Sequence, residues 1–367
     1  MWVVVVEPYY DGSHRAWADG YAAHSAHDVT VIAHKGSFWK WRMHGAALTL
    51  AHELAALVAE RGATPDVVVV SDMADVASFR GLARTSLRDC PVVAYFHENQ
   101  LTYPLSPSAL PDLSYGMRNW LSMAAADEIW FNSAYHRDEM ARALPALLGS
   151  MPDHRHTPLI DAVLGRTRVM PVGITLPRVV DGGRSDAGPP IVLWNQRWEY
   201  DKDPDRFFAA VDRAADRGIS FRLAVAGQNF RSRPAEFEAG GTRHASRLVH
   251  YGEADPATYR DLLDRCDVVV STARHEFFGV AVAEAIASGC SPVLPNALAY
   301  PELVGAAFAH VLYDDDEGLD QRLDRTIEQR AHGEVPDPEL RESVAARYAW
   351  PKVATDYDRR LAALVSC

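Results

Sequence analysis

Apolar, largely β-branched runs of four to six residues recur along the whole chain. In the first half they fall at 2–6, 29–33, 67–71, 92–96, 129–132 and 168–172, and in the second at 191–194, 221–226, 248–251, 268–272, 291–294 and 310–313. Runs this short with no polar alternation predict strands buried on both faces, the signature of a parallel sheet. Between them the period changes. Over 46–61 leucines and alanines stand three and four apart, and over 133–148 a similar stripe follows the start signal Asn132-Ser133, so both stretches predict amphipathic helices. Strands in alternation with helices predict an α/β fold built from two doubly wound parallel sheets.

The alternation breaks once, at 175–190, where TLPRVVDGGRSDAGPP carries a Gly-Gly and a Pro-Pro pair and no periodicity; this reads as an interdomain linker. The expected organisation is a first domain over 1–176, a linker over 177–190, a second domain over 191–345, and a helix over 346–367 placed to cross back to the first domain. A length of 367 residues agrees, since domains average about 150 residues. Two such sheets facing one another gather strand carboxyl ends and helix N-termini around one cleft, where a phosphate-bearing ligand is the natural occupant.

Composition narrows the class. With 48% apolar and 23% charged residues, the chain is not a disordered one. The apolar runs fall well short of the roughly 20 residues a membrane helix requires. The run at 2–6 lacks the basic flank and cleavage site of a secretory signal, so no membrane association and a cytoplasmic location are expected. Cys90, Cys266, Cys290 and Cys367 show no C-x-x-C spacing, which predicts reduced thiols and neither disulfides nor a zinc site. A net charge of -12 opposes a sequence-independent coat on nucleic acid. Residues 1–180 hold 15 basic and 18 acidic side chains, against 22 and 31 in the remainder, so a polyanionic partner should meet the first half.

The strongest chemical constellation follows the run at 268–272. In ARHEFFGVAVAEA, Glu276 and Glu284 flank seven residues, with Phe277, Phe278 and Gly279 after the first. If strand turns into helix near Gly279, the backbone N–H groups there face a phosphate at the helix's positive end. The carboxylates, acceptors only, suit sugar hydroxyls and a ribose diol. A second cluster, RWEYDKDP, follows the run at 191–194; Arg197 can fork two diphosphate oxygens and Lys202 adds a compact charge, neutralising a leaving group without a metal. Each has a plainer reading alone, an exposed acidic pair or a surface ion-pair network. Their shared cleft edge favours the phosphate reading. In the first half, EPYYDGSH brings Gly12 and Ser13 to the end of strand one, and YFHENQLTYP stacks His97, Glu98, Asn99 and Gln100 behind a buried run, a polar knot that packing alone explains poorly.

These four segments resemble the tRNA-queuosine alpha-mannosyltransferase family, within the retaining family-4 glycosyltransferases of GT-B fold, in which two Rossmann-like domains face across a cleft. The resemblance extends from the first strand to about Pro301. It implies an enzyme moving mannose from GDP-mannose to the cyclopentenediol of queuosine at a tRNA anticodon of the aspartate type, with no metal cofactor and no obligate protein partner. It implies catalytic roles for His97, Glu276, Arg197 and Lys202. Gly12, Ser13, Arg197, Lys202, Glu276, Phe277, Phe278, Gly279 and Glu284 are then the donor contacts, with Arg197 and Lys202 on the diphosphate, Glu284 on the guanosine ribose and Glu276 on mannose. A family-4 transferase with another nucleotide sugar or a small-molecule acceptor, or a sugar-nucleotide epimerase, are the alternatives.

For the acceptor the expected residues are His14, Trp39, Trp41, Arg42, Glu98, Asn99, Gln100, Tyr115 and Arg118. The segment 37–44 interleaves two tryptophans with Lys40, Arg42 and His44, a composition suited to stacking an unpaired base and neutralising phosphates; the competing reading is a tryptophan-rich edge packed on the first domain. The triple aspartate at 314–316 is expected to cap a surface turn rather than bind metal.

Overall fold

A computed structural model describes residues 1–104, 112–176, 188–228 and 235–366; Cys367 and positions 177–187 of the expected linker lie outside them. The chain divides into two compact units, one of Met1–Gly173 together with the chain from Trp350 onward, the other of Ile174–Ala349.

Among the described residues the first unit holds six parallel strands, β1 (Trp2–Tyr10), β2 (Asp28–Lys35), β3 (Val67–Ser71), β4 (Val92–Phe96), β5 (Glu128–Phe131) and β6 (Thr167–Val169). They lie in the order β2-β1-β3-β4-β5-β6. Valines 4, 6, 68 and 70 cluster with Leu50, Leu54 and Trp120 of the covering helices, and the intervening valines 3, 5, 67 and 69 are buried as well, so apolarity at successive positions covers the sheet on both sides. Order reverses between β1 and β3, so the strand ends there border a crevice. The final helix, Trp350–Val365, belongs to this unit. Gly20 and Gly173 admit the Trp350 ring, which a Cβ at either would meet at 2.1 and 2.2 Å. The Tyr357 hydroxyl donates to the Pro171 carbonyl at 2.8 Å, and Asp358 accepts from the Tyr21 hydroxyl at 2.9 Å and from Ser25 at 2.6 Å.

The second unit repeats the design with β7 (Ile191–Trp194), β8 (Arg222–Ala226), β9 (Leu248–Gly252), β10 (Val268–Val270), β11 (Ser291–Pro295) and β12 (Leu312–Tyr313), in the order β12-β11-β10-β7-β8-β9, all parallel. Its switch point lies between β7 and β10. The two chemical clusters of the second half follow these two strands.

Several elements differ from the reading of the pattern: β1 runs on to Tyr10 and β6 ends at Val169. The helix expected from 46 begins at Trp39, because Phe38 turns the chain in the left-handed region at φ 55° and Met43 already faces the interior. The strand expected to reach Thr272 ends at Val270, since the next two hydroxyls are engaged elsewhere: Ser271 Oγ with the Tyr300 hydroxyl at 2.6 Å and Thr272 Oγ1 with the Lys202 carbonyl at 2.9 Å. The last strand shrinks to two residues, preceded by a 3-10 turn over Ala306–Val311. Asp315 caps the helix Asp316–Ala331 by accepting from Gly318 N–H at 2.8 Å. Among the described residues no helix is long and apolar enough to cross a membrane.

Candidate active site

In the second unit, β7 and β10 deliver their loops to one another. The loop after β7 forms a 3-10 turn, Tyr200–Lys202, locked to the loop after β10 by the Thr272 hydroxyl and by Arg274, whose N–H donates to the Asp201 carbonyl at 2.8 Å and whose Nε donates to Asp203 at 2.8 Å. Lys202 is thereby buried, with Nζ donating to the His275 carbonyl at 2.7 Å and standing 3.3 Å from Glu276 Oε2 and 3.2 Å from Asp201 Oδ2. Burial works to discharge this amine, but Glu276 and Asp201 outweigh it and hold its pKa above the ordinary lysine value. Burial would likewise raise Glu276; Lys202 and the Phe278 N–H reverse that and lower it, so the pair is ionised. His275, buried beside the Lys202 charge, falls to about 4 and is neutral.

Glu276 Oε1 accepts from the N–H groups of Phe278 and Gly279 at 3.3 and 3.1 Å. These are the donors at the start of the helix Val280–Ala287, which Gly279 opens at φ 89°, and donors of this kind are an anion cradle. Here a carboxylate of the protein occupies it. Phe277 and Phe278 are buried, the latter edge-on to Tyr348. Arg197 is exposed, its Nη2 3.6 Å from Glu199, and close enough to depress Lys202 and His275 electrostatically.

Glu284 sits one turn into the same helix but in a different setting. Its Oε2 accepts from the Tyr259 hydroxyl at 3.1 Å. Asn195 holds that hydroxyl at 3.1 Å and anchors itself on the Ala281 carbonyl at 2.7 Å. Burial raises Glu284 to about 7, with the Tyr259 bond opposing. The two carboxylates, with seven residues between them, are thus differentiated, Glu276 charged and Glu284 poised near neutrality. Tyr259 escapes a motif search because it lies 25 residues from its partner in an ordinary helix pattern.

In the first unit, β1, β3 and β4 assemble a buried polar group. Glu7, fully buried on β1, accepts from Tyr9 N–H at 2.8 Å and meets His14 Nδ1 at 3.1 Å. The His14 and His97 rings lie 4.1 Å apart, and His97 Nε2 is 4.0 Å from Glu7. Burial resists charging His14, but Glu7, Asp72 and Glu98 overcome it and raise it to about 9. His97, buried against that imidazolium, is pushed well down and stays neutral. Asp72 accepts from His97 N–H at 2.9 Å; burial drives its own pKa well up, partly countered by His14. Glu7, His14 and His97 are ligating types whose candidate donor atoms lie within 4.8 Å of one another. Asn132 donates to the His97 carbonyl at 2.8 Å.

Gly12 and Ser13 are exposed at the start of the helix Gly12–His24, Gly12 at φ 49°. Asn99 is wholly buried, its Oδ1 taking the N–H groups of Leu101 and Thr102 at 3.0 Å each, so this side chain closes its own turn. Gln100 Nε2 donates to Glu98 at 3.0 Å. Trp39 and His44 converge on Tyr115 at 5.2 and 5.3 Å between ring centroids. Arg118 donates to Asp75 at 3.0 Å. Trp41 and Arg42 leave that cluster: Trp41 is 64% exposed and Arg42 Nη2 donates to the Lys35 carbonyl at 3.2 Å. Glu7 and Asp72 are the members of the first-unit group outside the expected site residues; a buried acid at each strand end is the signal that points to them.

Two parallel six-stranded units with an ionised Lys–Glu pair and an anion cradle at a switch point define a GT-B glycosyltransferase. Solved structures agree on the fold: sucrose-phosphate synthase from Thermosynechococcus elongatus, 17% identical, superposes with a TM-score of 0.75 over 100% of both chains, and the catalytic domain of starch synthase IV from Arabidopsis thaliana, 13% identical, with 0.74 over 100% of both. Residues 2–174 match the tRNA-queuosine alpha-mannosyltransferase N-terminal family and 181–346 the glycosyl transferases group 1 family. The tRNA-queuosine alpha-mannosyltransferase of Drosophila melanogaster is 30% identical over 331 residues, covering 88% of this chain and 85% of the relative. The GDP-mannose:cellobiosyl-diphosphopolyprenol alpha-mannosyltransferase of Xanthomonas oryzae pv. oryzae (strain PXO99A) is 23% identical over 52% of this chain and 51% of its own length. The chain belongs to the tRNA-queuosine alpha-mannosyltransferase family.

Proposed function

We propose that this glycosyltransferase moves mannose from GDP-mannose, with retention, to the cyclopentenediol of queuosine in a tRNA anticodon. The observation that carries the reading is the match across 88% of the chain to a transferase of that name, joined to a switch point already built to hold an anion. In this reading Lys202 and Arg197 neutralise the diphosphate, Glu284 with Tyr259 takes the guanosine ribose, and Glu276 leaves its two backbone donors to accept from mannose hydroxyls. Phe277, Phe278 and Gly279 then present their backbone to the donor. Gly12 and Ser13 add phosphate contacts.

The chemistry needs no protein base. The bond from the anomeric carbon to the β-phosphate oxygen breaks, and positive charge develops on the sugar, where neutral His97 or its carbonyl stabilises it. The acceptor hydroxyl attacks from the face GDP leaves, and its proton passes to the departing phosphate oxygen. The guanidinium and ammonium stabilise the charge left on GDP, so no metal is assigned. A tRNA acceptor sets the work in the cytoplasm.

The test is direct. Purified protein, GDP-mannose and queuosine-containing tRNA for aspartate are incubated and the RNA digested; a hexose increment on queuosine is the expected mass, and unmodified queuosine overturns the reading.

A further inference from the structure

Beside the cluster around Tyr115, the first unit carries a cavity of about 420 Å³ between the edge strand β2 and the helix Trp39–Arg61, lined by Lys35, Trp41, Arg42, Thr49, His34 and Glu53 among others. We propose that this cavity receives one unpaired nucleotide of the acceptor RNA, its base on the Trp41 ring and its phosphate between Lys35 and Arg42. The inference rests on the tRNA acceptor proposed above and assigns it a second point of contact.

The cavity is built, not incidental. Gly45 lies one turn after Trp41, and a Cβ there would meet the indole at 2.8 Å. A glycine inside a helix weakens it, and here its bare backbone is what lets the indole lie along the helix with 64% of its surface exposed. An exposed planar ring of this kind is a stacking platform for any base. Arg42 Nε and His34 Nδ1, both on lining residues, are shielded from solvent and make no hydrogen bond among the described residues. His34 Nε2 is shared by Thr49 Oγ1 at 3.2 Å and Glu53 Oε1 at 3.3 Å, a polar row suited to a base edge, and the Glu53 carboxylate can accept from an exocyclic amine.

Charge and placement agree. In a chain of net charge -12 that holds only four lysines, two of them, Lys35 and Lys40, fall within the stretch 35–42 that also carries Arg42. Phosphate affinity must come from local cations when the overall field is repulsive. Lys35 pairs with Tyr10 in the β-ladder, and a Cβ on Gly36 would lie 2.2 Å from the Asp11 Cβ. The turn after β2 is therefore pressed against the turn that opens into Gly12, Ser13 and His14, so the cavity adjoins the polar strand ends of the same sheet. Its volume is that of a small-ligand site, typically about 300–1,000 Å³.

The test uses the full chain and queuosine-containing tRNA for aspartate, with Trp41→Ala and Trp41→Phe as variants, and reads both the equilibrium Kd for tRNA and the KM for tRNA in hexose transfer. Loss of one base-aromatic stack weakens binding roughly tenfold or more, so Trp41→Ala should raise both constants at least that far. Trp41→Phe, which keeps a ring, should recover most of the loss, an outcome a structural defect does not produce. A Trp41→Ala protein that binds tRNA within twofold of wild type, while wild type transfers hexose, overturns the cavity's assignment and leaves the reaction standing. If wild type adds no hexose, the reaction is overturned, and the tRNA Kd values alone then decide the cavity, tenfold loss supporting it and none overturning it.

Discussion

Lys202 Nζ stands 3.3 Å from Glu276 Oε2 while the other oxygen of that carboxylate takes the N–H of Gly279 at 3.1 Å. One acidic side chain thus occupies both cationic and backbone anion donors of the switch point. In the proposed reaction a donor diphosphate displaces it, which would release the carboxylate for sugar hydroxyls, the group it is suited to accept from.

Replacing Lys202 by Met removes the buried cation and leaves Glu276 charged without its partner. Such a break costs about 3–5 kcal/mol, so melting should fall by several degrees, and transfer should drop on the order of a hundredfold or more because leaving-group charge goes unstabilised. Calorimetry and kcat/KM for GDP-mannose check the two effects. Near-normal turnover would remove Lys202 from the diphosphate.

Donor affinity should depend on pH through Glu284. Its pKa, raised to about 7, makes the carboxylate that accepts from a ribose diol increasingly available as pH rises through neutrality. KM for GDP-mannose should fall roughly tenfold between pH 6 and 8, and Glu284→Gln should flatten that profile. The same shift favours the folded protein when Glu284 is protonated; its contribution is fully present below about 4.5 and is lost as pH rises through 7.

Tyr259→Phe deletes the hydrogen bond that opposes burial at Glu284. The midpoint of the KM profile should move to higher pH, with kcat at saturating donor little altered. A midpoint that stays in place would show that Tyr259 does not position the carboxylate.

The Glu7–His14 pair predicts an alkaline limit. Because His14 is raised to about 9, its stabilisation is complete below 6.5 and is lost as pH climbs through 9. Glu7→Gln removes the main group that raises His14, so the imidazole becomes neutral, the slope flattens, and the fold loses at neutral pH the stabilisation the pair supplied, about 3 kcal/mol. Proton NMR titration of His14 and melting curves from pH 6 to 10 are the measurements.

Gly279→Ala should impair the site by strain rather than bulk alone. An L-residue at φ 89° is disfavoured, and the added Cβ would lie 3.2 Å from Tyr300. A penalty of about 1–2 kcal/mol with reduced donor affinity is expected; an unchanged KM for GDP-mannose would show that the backbone there does not touch the donor.

The valine runs of β1, β3 and β10 announced buried parallel strands because a sheet covered on both faces admits no polar alternation, and that rule is local to each run. The same locality made Arg197, Lys202, Glu276 and Glu284 visible as clusters behind strands. It also hid the first turns of the helix from Trp39, where Gly45 and interleaved polar residues blur the period, and it misjudged the end of β10, whose next hydroxyls serve other loops. What the chain order by itself determined is therefore the alternation of elements and the residue types at each strand end. Only the tertiary structure decided that Tyr259 rests on Glu284 from 25 residues away, that Glu7 charges His14 and thereby silences His97, and that Glu276 fills the helix start. Those outcomes depend on desolvation and on distances of about 3 Å, which the crossover connections set and no periodicity records.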